Sequence, residues 1–276
     1  MNKLILVAVV LVAACQADNK GLERKIDELN KRLDKLEPML ARGAGAAAPQ
    51  QRPTRVEPDR AKTYAVPVDG DPVEGPADAK ITVVKAYDYA CPFCEKVRGA
   101  MDDLRKKYPN DLRIVYKQFV VHPQTATSGA LAVCAADKQG KFKELDTLLW
   151  DKGFNARQFD PNSCWDAPAG CPLVVGFAKD LGLDVEKFKA DMKGDCQKLV
   201  QKDMRDLTAL GVGSTPTFFI NGRYMVGAAP TDAFVQLVEE ELKKANEQIA
   251  AGTPAASYYQ QAVLDKGLKQ LERPQQ

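Results

Sequence analysis

The chain has 276 residues, of which 39 are basic and 37 acidic, so its formal net charge is only +2. A charge balance this close to neutral gives no reason to expect a nucleic-acid partner. The length and the hydrophobic content of 45% are sufficient for a domain core that does not depend on disulfides. The chemistry of the protein must therefore be sought in its motifs.

The first 15 residues have the pattern of an export signal that ends in a lipidation site. A single basic residue, Lys3, precedes an apolar run over residues 4–14 that is too short to span a bilayer. The run ends in Val12-Ala13-Ala14-Cys15, which resembles a bacterial lipobox. We therefore expect residues 1–14 to be a lipoprotein signal peptide and Cys15 to carry the lipid, which places the protein in the bacterial cell envelope.

The alternative is an ordinary signal peptide that is cut near Ala14 and leaves Cys15 free. An exposed thiol in an oxidising compartment would be a liability, which favours lipidation. Gln16 follows the cysteine, where resemblance to lipoproteins of the inner membrane would require Asp. The sequence thus favours an anchor in the outer membrane that faces the periplasm.

Residues 15–40 are predicted to form the lipid anchor and a short coiled-coil stem. Apolar residues recur at alternating spacings of four and three, as in a coiled-coil seam: Leu22, Ile26, Leu29, Leu33 and Leu36. A helix of this length is marginal alone, so the seam must be buried on something. We favour a homo-oligomer, a dimer or trimer; the alternatives are packing on the protein's own domain or lying on the membrane.

The rest of the chain divides by composition. Residues 41–62 are rich in Ala, Gly, Pro, Gln and Arg without an apolar period, and are predicted to be a flexible linker. Residues 63–250 have the length and apolar content of one domain, with a helical insertion at residues 124–210. Residues 251–276 are predicted to be a C-terminal tail outside this domain.

Within the domain, the apolar pattern predicts strands interrupted by a helical block. Strands are predicted at residues 81–87, 112–121, 217–220 and 223–226, with Asn221-Gly222 as a hairpin turn. Helices are predicted at residues 95–107, 125–138, 141–149, 173–181, 185–192, 196–210 and 231–249. Most of these helices lie between the second and third strands.

The most informative motif is Cys91-Pro92-Phe93-Cys94, which lies where the first strand is followed by a helix. This spacing puts the first sulfur at a helix N-terminus, where unpaired N–H groups and the helix dipole favour a thiolate. A stabilised thiolate is a nucleophile and a good leaving group, so the motif predicts a redox-active dithiol. The alternatives are a zinc half-site and a structural disulfide.

Both alternatives fit the sequence less well. A zinc site needs two further Cys or His ligands, but the only histidine is His122 and the other cysteines are not spaced as zinc ligands. A structural disulfide would not need Pro92, which suits the first turn of a helix. We therefore expect neither a metal nor a cofactor.

The remaining cysteines fit an oxidising compartment. Without Cys15 their number is even, and beyond the redox pair the chain has Cys134, Cys164, Cys171 and Cys196. Three pairings are possible. We prefer Cys164 with Cys171, because closing so short a loop costs little entropy, which leaves Cys134 with Cys196.

These motifs resemble those of the DsbA-like thiol-disulfide oxidoreductases, and the resemblance covers residues 64–250. It rests on the run from Tyr87 to Cys94, on His122-Pro123, on Gln-Gly-Lys-Phe at residues 139–142 and on residues 211–222. It implies an α/β, thioredoxin-like fold with an inserted helical domain, here preceded by the coiled-coil stem. It also implies an enzyme that exchanges thiols and disulfides.

The resemblance assigns roles to four residues. Cys91 would be the attacking, solvent-facing thiol and Cys94 the resolving thiol. Pro216 would be a cis-proline that lies against them, with Thr215 before it in a substrate-binding loop. From the residues alone, Pro216 is only a proline at the entrance of a strand.

The residues expected to modulate the thiols are the dipeptide inside the motif, Pro92-Phe93, and two residues outside it, Lys85 and His122. Lys85 lies where thioredoxin-like proteins generally have an acidic residue beneath the active site. A lysine that stayed charged there would favour thiolates and make the disulfide more oxidising. Alternatively, it reaches solvent or pairs with a carboxylate. We expect His122 to be structural or modulatory.

The function implied is thiol-disulfide exchange on exported proteins, as an oxidase or an isomerase. An oxidase would need a membrane redox partner that reoxidises it, whereas an isomerase stays reduced and usually presents several active sites together. Thr215 and the stem favour the isomerase, and Phe93 does not decide. The alternative function is that of a protein that binds a soft metal, Cu(I), through the same dithiol.

Overall fold

The computed structural model describes residues 21–35, 57–159 and 171–271. Residues 21–35 form a helix, α1, and belong to a different compact unit from the other described residues. The predicted signal peptide, Cys15 and most of the predicted linker lie outside the described ranges. Within these ranges, no helix combines the length and the hydropathy that crossing a bilayer requires.

Helix α1 has an apolar stripe on its surface. The four apolar residues of the predicted seam that fall in the helix are each 48–59% exposed: Leu22, Ile26, Leu29 and Leu33. Arg32 makes an ion pair of 2.7 Å with Glu28 one turn earlier. The helix therefore has the pattern that a stem requires, while its assembly stays a prediction.

The larger unit is built on a five-stranded sheet with the order β1-β3-β2-β4-β5. The strands are β1 (Val73–Glu74), β2 (Ile81–Tyr87), β3 (Leu112–Gln118), β4 (Thr217–Ile220) and β5 (Arg223–Val226). β2 and β3 are parallel, whereas β4 is antiparallel to both β2 and β5. β2 is buried along its whole length, as expected for an apolar and β-branched strand with helices on both faces.

Helices cover both faces of this sheet. They are α2 (Pro92–Lys96), α3 (Arg98–Lys107), α4 (Pro123–Asp137), α5 (Phe142–Leu148), α6 (Pro172–Asp180), α7 (Val185–Lys193), α8 (Asp195–Ala209) and α9 (Thr231–Ala250). One apolar cluster packs Val83 and Tyr87 against α3, α4 and α9, and the other packs Val84 and Ala86 against α8. Because α4 to α8 lie between β3 and β4, the thioredoxin-like fold with a helical insertion is confirmed.

Several boundaries differ from those predicted. β3 ends at Gln118 rather than at residue 121, because the backbone then leaves the sheet and Val121 N–H donates to the Asp88 carboxylate. The helix expected over residues 95–107 is divided at Val97 into α2 and α3. The helix after residue 141 continues as a π-helix, Leu149–Asn155, and the two-residue strand β1 is too short to show a pattern.

The residues after 250 are part of the domain core, so the prediction of a tail outside the domain was wrong. Tyr259 and Val263, on a π-helix (Tyr259–Leu264), are buried in the second apolar cluster. The Tyr259 hydroxyl donates to the Val66 carbonyl at 2.9 Å, and Leu268 forms a bridge with Tyr64. The segment was missed because a single π-helical turn lacks the apolar period of an α-helix.

A buried ion triad joins the insertion to the sheet. The Lys117 ammonium on β3 lies 2.6 Å from carboxylate oxygens of both Asp71 and Asp203, and all three side chains are inaccessible to solvent. Asp203, on α8, also accepts a hydrogen bond from Gln118 N–H at 2.8 Å. Burial, and then repulsion by Asp203, raises the pKa of Asp71 to about 8.

Replacing Tyr259 by Ala should destabilise the domain by about 3–5 kcal/mol, because it leaves a cavity and removes the hydrogen bond to Val66. Urea unfolding measures the loss. Gln260→Ala, at the next and exposed position, is the matched control and should cost less than about 1 kcal/mol. Equal losses from the two variants would contradict the packing described for Tyr259.

Candidate active site

The dithiol lies at the C-terminal end of β2. Cys91 is the N-cap of α2, and Pro92 occupies the first helical position. The N–H groups of Cys94 and Glu95 donate to the Cys91 carbonyl at 3.0 and 3.3 Å and so form the first turn. Proline is favourable at this position because its missing N–H would have no partner within the helix. The first sulfur is therefore held beside the N–H groups of a helix N-terminus, as the sequence predicts.

Both thiols are covered by neighbouring structure. Cys94 is fully buried and Cys91 is only 5% exposed, so the expectation of a solvent-facing Cys91 was wrong. The cause is the loop before β4, where the Thr215 carbonyl oxygen lies 3.3 Å from Cys91 Sγ and can accept a hydrogen bond from the protonated thiol. Pro92 and Phe93, the latter 58% exposed, are the part of the motif that faces solvent.

The two thiols have opposite electrostatic environments. A hydrogen bond from the Cys94 thiol is the main cause that lowers the pKa of Cys91 to about 5. Partial burial opposes it, and hydrogen bonds from the Thr215 side chain and from the N–H groups of Cys94 and Phe93 lower the pKa further. Burial raises the pKa of Cys94 far above its ordinary value, and Cys91 raises it further. At neutral pH, Cys91 is therefore the thiolate and Cys94 the thiol.

The loop that covers Cys91 contains a cis peptide bond between Thr215 and Pro216. Gly227 N–H donates to the Pro216 carbonyl at 2.8 Å, and the Thr217 hydroxyl donates to the Ser214 carbonyl at 2.8 Å. These hydrogen bonds hold the loop at the start of β4, the neighbour of β2 in the sheet. The structure thus brings Thr215 and Pro216 together with the dithiol.

Asp88 supports the site and was not singled out by the sequence analysis. Its buried carboxylate accepts hydrogen bonds from the N–H groups of Ala90, Val121 and His122 at 2.7, 2.6 and 2.8 Å. His122 Nδ1 lies 3.2 Å from the same carboxylate, and the imidazole is half exposed. Asp88 therefore ties the loop before Cys91 to the start of α4. The available signal was an acidic residue directly after the strand and three positions before the first cysteine.

Lys85 lies on the face of β2 that Val83 and Tyr87 share. It is 3% exposed, and its ammonium nitrogen lies 4.9 Å from the centre of the Tyr87 ring and 5.6 Å from that of Tyr116. Among the described residues, no carboxylate oxygen lies within 4.0 Å of it. It therefore neither reaches solvent nor forms a direct ion pair. Burial lowers its pKa, and attraction to Asp146 and Cys94 opposes this effect.

Asp146, on α5, is a second buried acid that sequence reasoning missed. It accepts hydrogen bonds from the Tyr89 hydroxyl at 2.8 Å and from Trp150 Nε1 at 3.1 Å. Burial raises its pKa. An acidic residue on a helix is usually exposed, so its burial was not expected. The signal was its helical spacing from apolar Phe142 and Leu149, which places it on the buried face.

The described cysteines outside the motif form disulfides. Cys134 on α4 and Cys196 on α8 form a disulfide, which is the pairing that the sequence analysis preferred. Cys171 is also disulfide-bonded, but Cys164 lies outside the described ranges, so their pairing stays a prediction. In the described part of the chain, Cys91 and Cys94 are the free thiols, and no three His, Cys, Asp or Glu residues are grouped to hold a metal ion.

The fold and the dithiol define a thioredoxin-like protein with a helical insertion. The chain belongs to the Thioredoxin family, whose model matches residues 68–240, including both thiols and the cis-proline loop.

Solved structures share this fold. Oxidised BdbD of Bacillus subtilis has a TM-score of 0.58 at 22% identity, covering 68% of this chain and 100% of that chain. The α-DsbA1 of Wolbachia pipientis has a TM-score of 0.55 at 16% identity, covering 67% of this chain and 96% of that chain. The catalytic domain of Proteus mirabilis ScsC has a TM-score of 0.51 at 23% identity, covering 63% of this chain and 90% of that chain. The fold is therefore that of the DsbA-like thiol-disulfide oxidoreductases.

Curated relatives include longer proteins named as Na(+)/H(+) antiporters. The chain is 32% identical over 165 residues to the Na(+)/H(+) antiporter NhaA of Herminiimonas arsenicoxydans, a match that covers 59% of this chain and 24% of the antiporter. The chain is 31% identical over 185 residues to NhaA 1 of Mycobacterium sp. (strain KMS), a match that covers 64% of this chain and 28% of the antiporter. The chain thus spans about a quarter of the length of these relatives, and their name describes the longer proteins.

The alkylation rate of Cys91 should follow its lowered pKa. Because that pKa is about 5, the rate with iodoacetamide should rise through pH 5 and be constant at pH 7. Cys94→Ala should move the midpoint upward, because it removes the largest stabilising hydrogen bond, and Thr215→Val should move it less. Mass spectrometry of the alkylated peptide measures the rate. A wild-type midpoint near 9, the ordinary value of a thiol, would contradict the assignment.

Proposed function

We propose that this protein is a thiol-disulfide oxidoreductase that acts on exported proteins through Cys91 and Cys94. The observation that supports this most is the opposite protonation of the two thiols. A thiolate at neutral pH can attack a substrate disulfide, and a second thiol held beside it can resolve the mixed disulfide that results. A structural dithiol would have no need for so large a difference in pKa.

The exchange proceeds in two steps. The Cys91 thiolate attacks one sulfur of a substrate disulfide, forming a mixed disulfide and releasing a substrate thiolate. Cys94 can then attack Cys91 Sγ, which forms the protein disulfide and releases the second substrate thiol, so the substrate is reduced. If another substrate thiolate attacks first, the substrate disulfide is rearranged and the protein is recovered in its reduced form. Oxidation of a substrate runs the first sequence backwards.

The surface beside the dithiol suits a non-native protein as substrate. Phe93, inside the motif, is a large apolar side chain that is 58% exposed, and Val121, whose N–H donates to the Asp88 carboxylate, is 43% exposed. Exposed apolar groups next to a reactive thiol favour partners that also expose apolar residues. Thr215 and Pro216 form the adjacent loop, where we place the bound substrate segment.

We favour the isomerase direction over the oxidase direction. The exposed apolar stripe of α1 supports a dimer or trimer, which would present several dithiols to one substrate. The oxidase direction would instead require a membrane redox partner. We place the protein in the bacterial envelope, anchored through a lipid on Cys15 to the outer membrane and facing the periplasm. This location rests on the lipobox-like sequence.

Substitution of the two cysteines should have unequal effects on substrate trapping. Cys94→Ala should leave substrates attached to Cys91, because the thiol that resolves the mixed disulfide is missing. Cys91→Ala should trap essentially none, because Cys94 is buried and protonated. Non-reducing electrophoresis of envelope extracts measures the adducts. Equal trapping by both variants would contradict the roles, and Cu(I) binding without any adducts would favour the metal-binding alternative.

Deletion of residues 21–37 should separate oligomerisation from the dithiol chemistry. The intact protein should reshuffle a scrambled disulfide substrate, whereas the shortened protein should be monomeric and retain only simple thiol exchange. Light scattering measures the oligomeric state. The biological activity that the scrambled substrate regains measures disulfide reshuffling. Equal reshuffling by both forms would show that the stem is not required, and an intact protein that only oxidises dithiols would reassign it as an oxidase.

A further inference from the structure

A half-exposed histidine beside the dithiol loop is attached to a buried acid. His122 Nδ1 lies 3.2 Å from the Asp88 carboxylate; the Asp88 side chain is inaccessible to solvent, whereas that of His122 is 49% exposed. Among the described residues, Asp88 supplies the charged group within 4.0 Å of the imidazole. One side of the ring is therefore held by the protein, and the other is open to solvent.

Asp88 also holds the turn that leads into Cys91. Its backbone carbonyl accepts a hydrogen bond from Cys91 N–H at 3.1 Å, and its carboxylate accepts one from Ala90 N–H at 2.7 Å. The carboxylate oxygen that binds Ala90 is the one that lies next to His122 Nδ1. The imidazole is therefore attached directly to the turn that presents the reactive sulfur.

The contact with Asp88 determines which nitrogen of the ring is available. A carboxylate accepts hydrogen bonds, so we assign a hydrogen to Nδ1 of His122. In the described part of the chain, no residue forms a hydrogen bond with Nε2. Nε2 can therefore accept a proton when the ring is neutral and donate one when the ring is an imidazolium.

Structural needs do not account for a histidine at this position. The Asp88 carboxylate already accepts three backbone N–H groups, from Ala90, Val121 and His122, so it is satisfied without the imidazole. His122 is the N-cap of α4, yet its side chain makes no capping hydrogen bond, and histidine is not among the preferred capping residues. An exposed imidazole that a buried acid orients is instead the arrangement of a general acid–base catalyst.

The surface next to His122 has room for a substrate. A cavity of about 400 Å³ begins at Pro123, the residue after His122, and lies between α4 and α8. Its lining is uncharged and includes Gln124, Thr127 and Gln201. A polypeptide that occupies this space would meet no charged side chain of the cavity that competes with the imidazole.

We propose that His122 is the general acid–base catalyst for the substrate sulfur. This inference rests on the proposed function and deepens it. The imidazolium protonates the substrate thiolate that leaves when Cys91 attacks, and the neutral imidazole takes the proton of a substrate thiol that attacks the mixed disulfide. Cysteine thiolates are basic leaving groups, with an ordinary pKa of about 8.5, so a proton donor at the leaving sulfur lowers the barrier.

The atoms and electrons of each step balance. In the first step, a bond forms between Cys91 Sγ and one substrate sulfur, and the substrate disulfide bond breaks. Its electron pair leaves on the second substrate sulfur, which takes the proton of His122 Nε2 and becomes a thiol. When a substrate thiol then attacks the mixed disulfide, it returns a proton to Nε2, and Cys91 leaves as the thiolate. The substrate disulfide is rearranged, and neither protein nor substrate is oxidised overall.

The balance also holds when Cys94 resolves the mixed disulfide. The proton of Cys94 passes to the substrate thiolate that leaves, so the protein is oxidised and the substrate is reduced. His122 then recovers its proton from solvent.

The test compares two disulfides that differ in the basicity of the leaving sulfur. One is 5,5′-dithiobis(2-nitrobenzoate), which releases an aromatic thiolate that needs no proton. The other is the disulfide of N-acetylcysteine methylamide, an uncharged compound that releases an ordinary cysteine thiol. The full-length chain is used with Cys15→Ser in every variant and with the dithiol reduced selectively. Quench-flow mass spectrometry measures the loss of reduced protein where its rate is proportional to reagent concentration, which reports attack by Cys91.

His122→Asn should slow the reaction with the cysteine disulfide by about tenfold or more at neutral pH, because asparagine can donate to Asp88 but cannot supply a proton to sulfur. The reaction with the aromatic disulfide should change by less than about twofold, because His122 is not among the groups that set the pKa of Cys91. Free imidazole should restore part of the rate of His122→Ala. Ser128→Ala, further along α4 and outside the cavity lining, is the matched control and should behave as wild type.

The two reagents should also give different pH profiles. With the cysteine disulfide, the wild-type rate should pass through a maximum, because attack needs the Cys91 thiolate and departure needs the His122 imidazolium. The rate of His122→Asn should rise and then level off, because only the first requirement remains. With the aromatic disulfide, the rates of both proteins should level off.

The outcomes distinguish the inference from the function on which it rests. If the wild-type protein reacts with neither disulfide, the proposed function is overturned. If the wild-type protein reacts with both, and His122→Asn matches it with the cysteine disulfide, the inference alone is overturned. Equal slowing of His122→Asn with both reagents, without recovery of His122→Ala by imidazole, would also overturn the inference, because a structural defect has those properties.

Discussion

Burial of β2 on both faces is the constraint on which the site depends. Its neighbours fix its register, Lys85 opposite Tyr116 on one side and opposite Phe218 on the other. A slip of one residue would move Lys85 to the opposite face of the sheet, away from Tyr116 and Asp146. The strand also delivers the chain into the loop before Cys91. Packing of the core and placement of the reactive groups are therefore one and the same requirement.

The helical insertion takes part in the site through three attachments to the sheet. Asp88 binds the start of α4, Lys117 is paired with Asp203 of α8, and Asp146 of α5 accepts a hydrogen bond from Tyr89 in the loop before Cys91. Each attachment buries a charged or polar group that would be costly if its partner moved. The insertion should therefore hold one fixed position on the sheet.

How far the sequence predicts the structure depends on how local each feature is. Residues 81–87, 217–220 and 223–226 were predicted to the residue, because a short apolar, β-branched run and an Asn-Gly turn are contained in a few positions. Coverage of Cys91 and burial of Asp146 depend on elements more than 50 residues away, Thr215 and Tyr89 respectively. A local pattern can indicate the buried face of a helix, but it does not identify the distant partner of such a contact. The motif itself was readable because its chemistry needs only a cysteine at a helix start.

The lowered pKa of Cys91 has an energetic consequence for the direction of exchange. A fall from 9.0 to about 5 stabilises the reduced protein at pH 7 by about 3 kcal/mol relative to an ordinary thiol, which corresponds to about 60 mV. A dithiol stabilised in this way gives up its disulfide readily and then remains reduced. The first property serves an oxidase and the second an isomerase, so the dithiol is compatible with both. In our proposal the choice is made elsewhere, by the exposed stripe of α1, because assembly decides how many reduced dithiols meet one substrate.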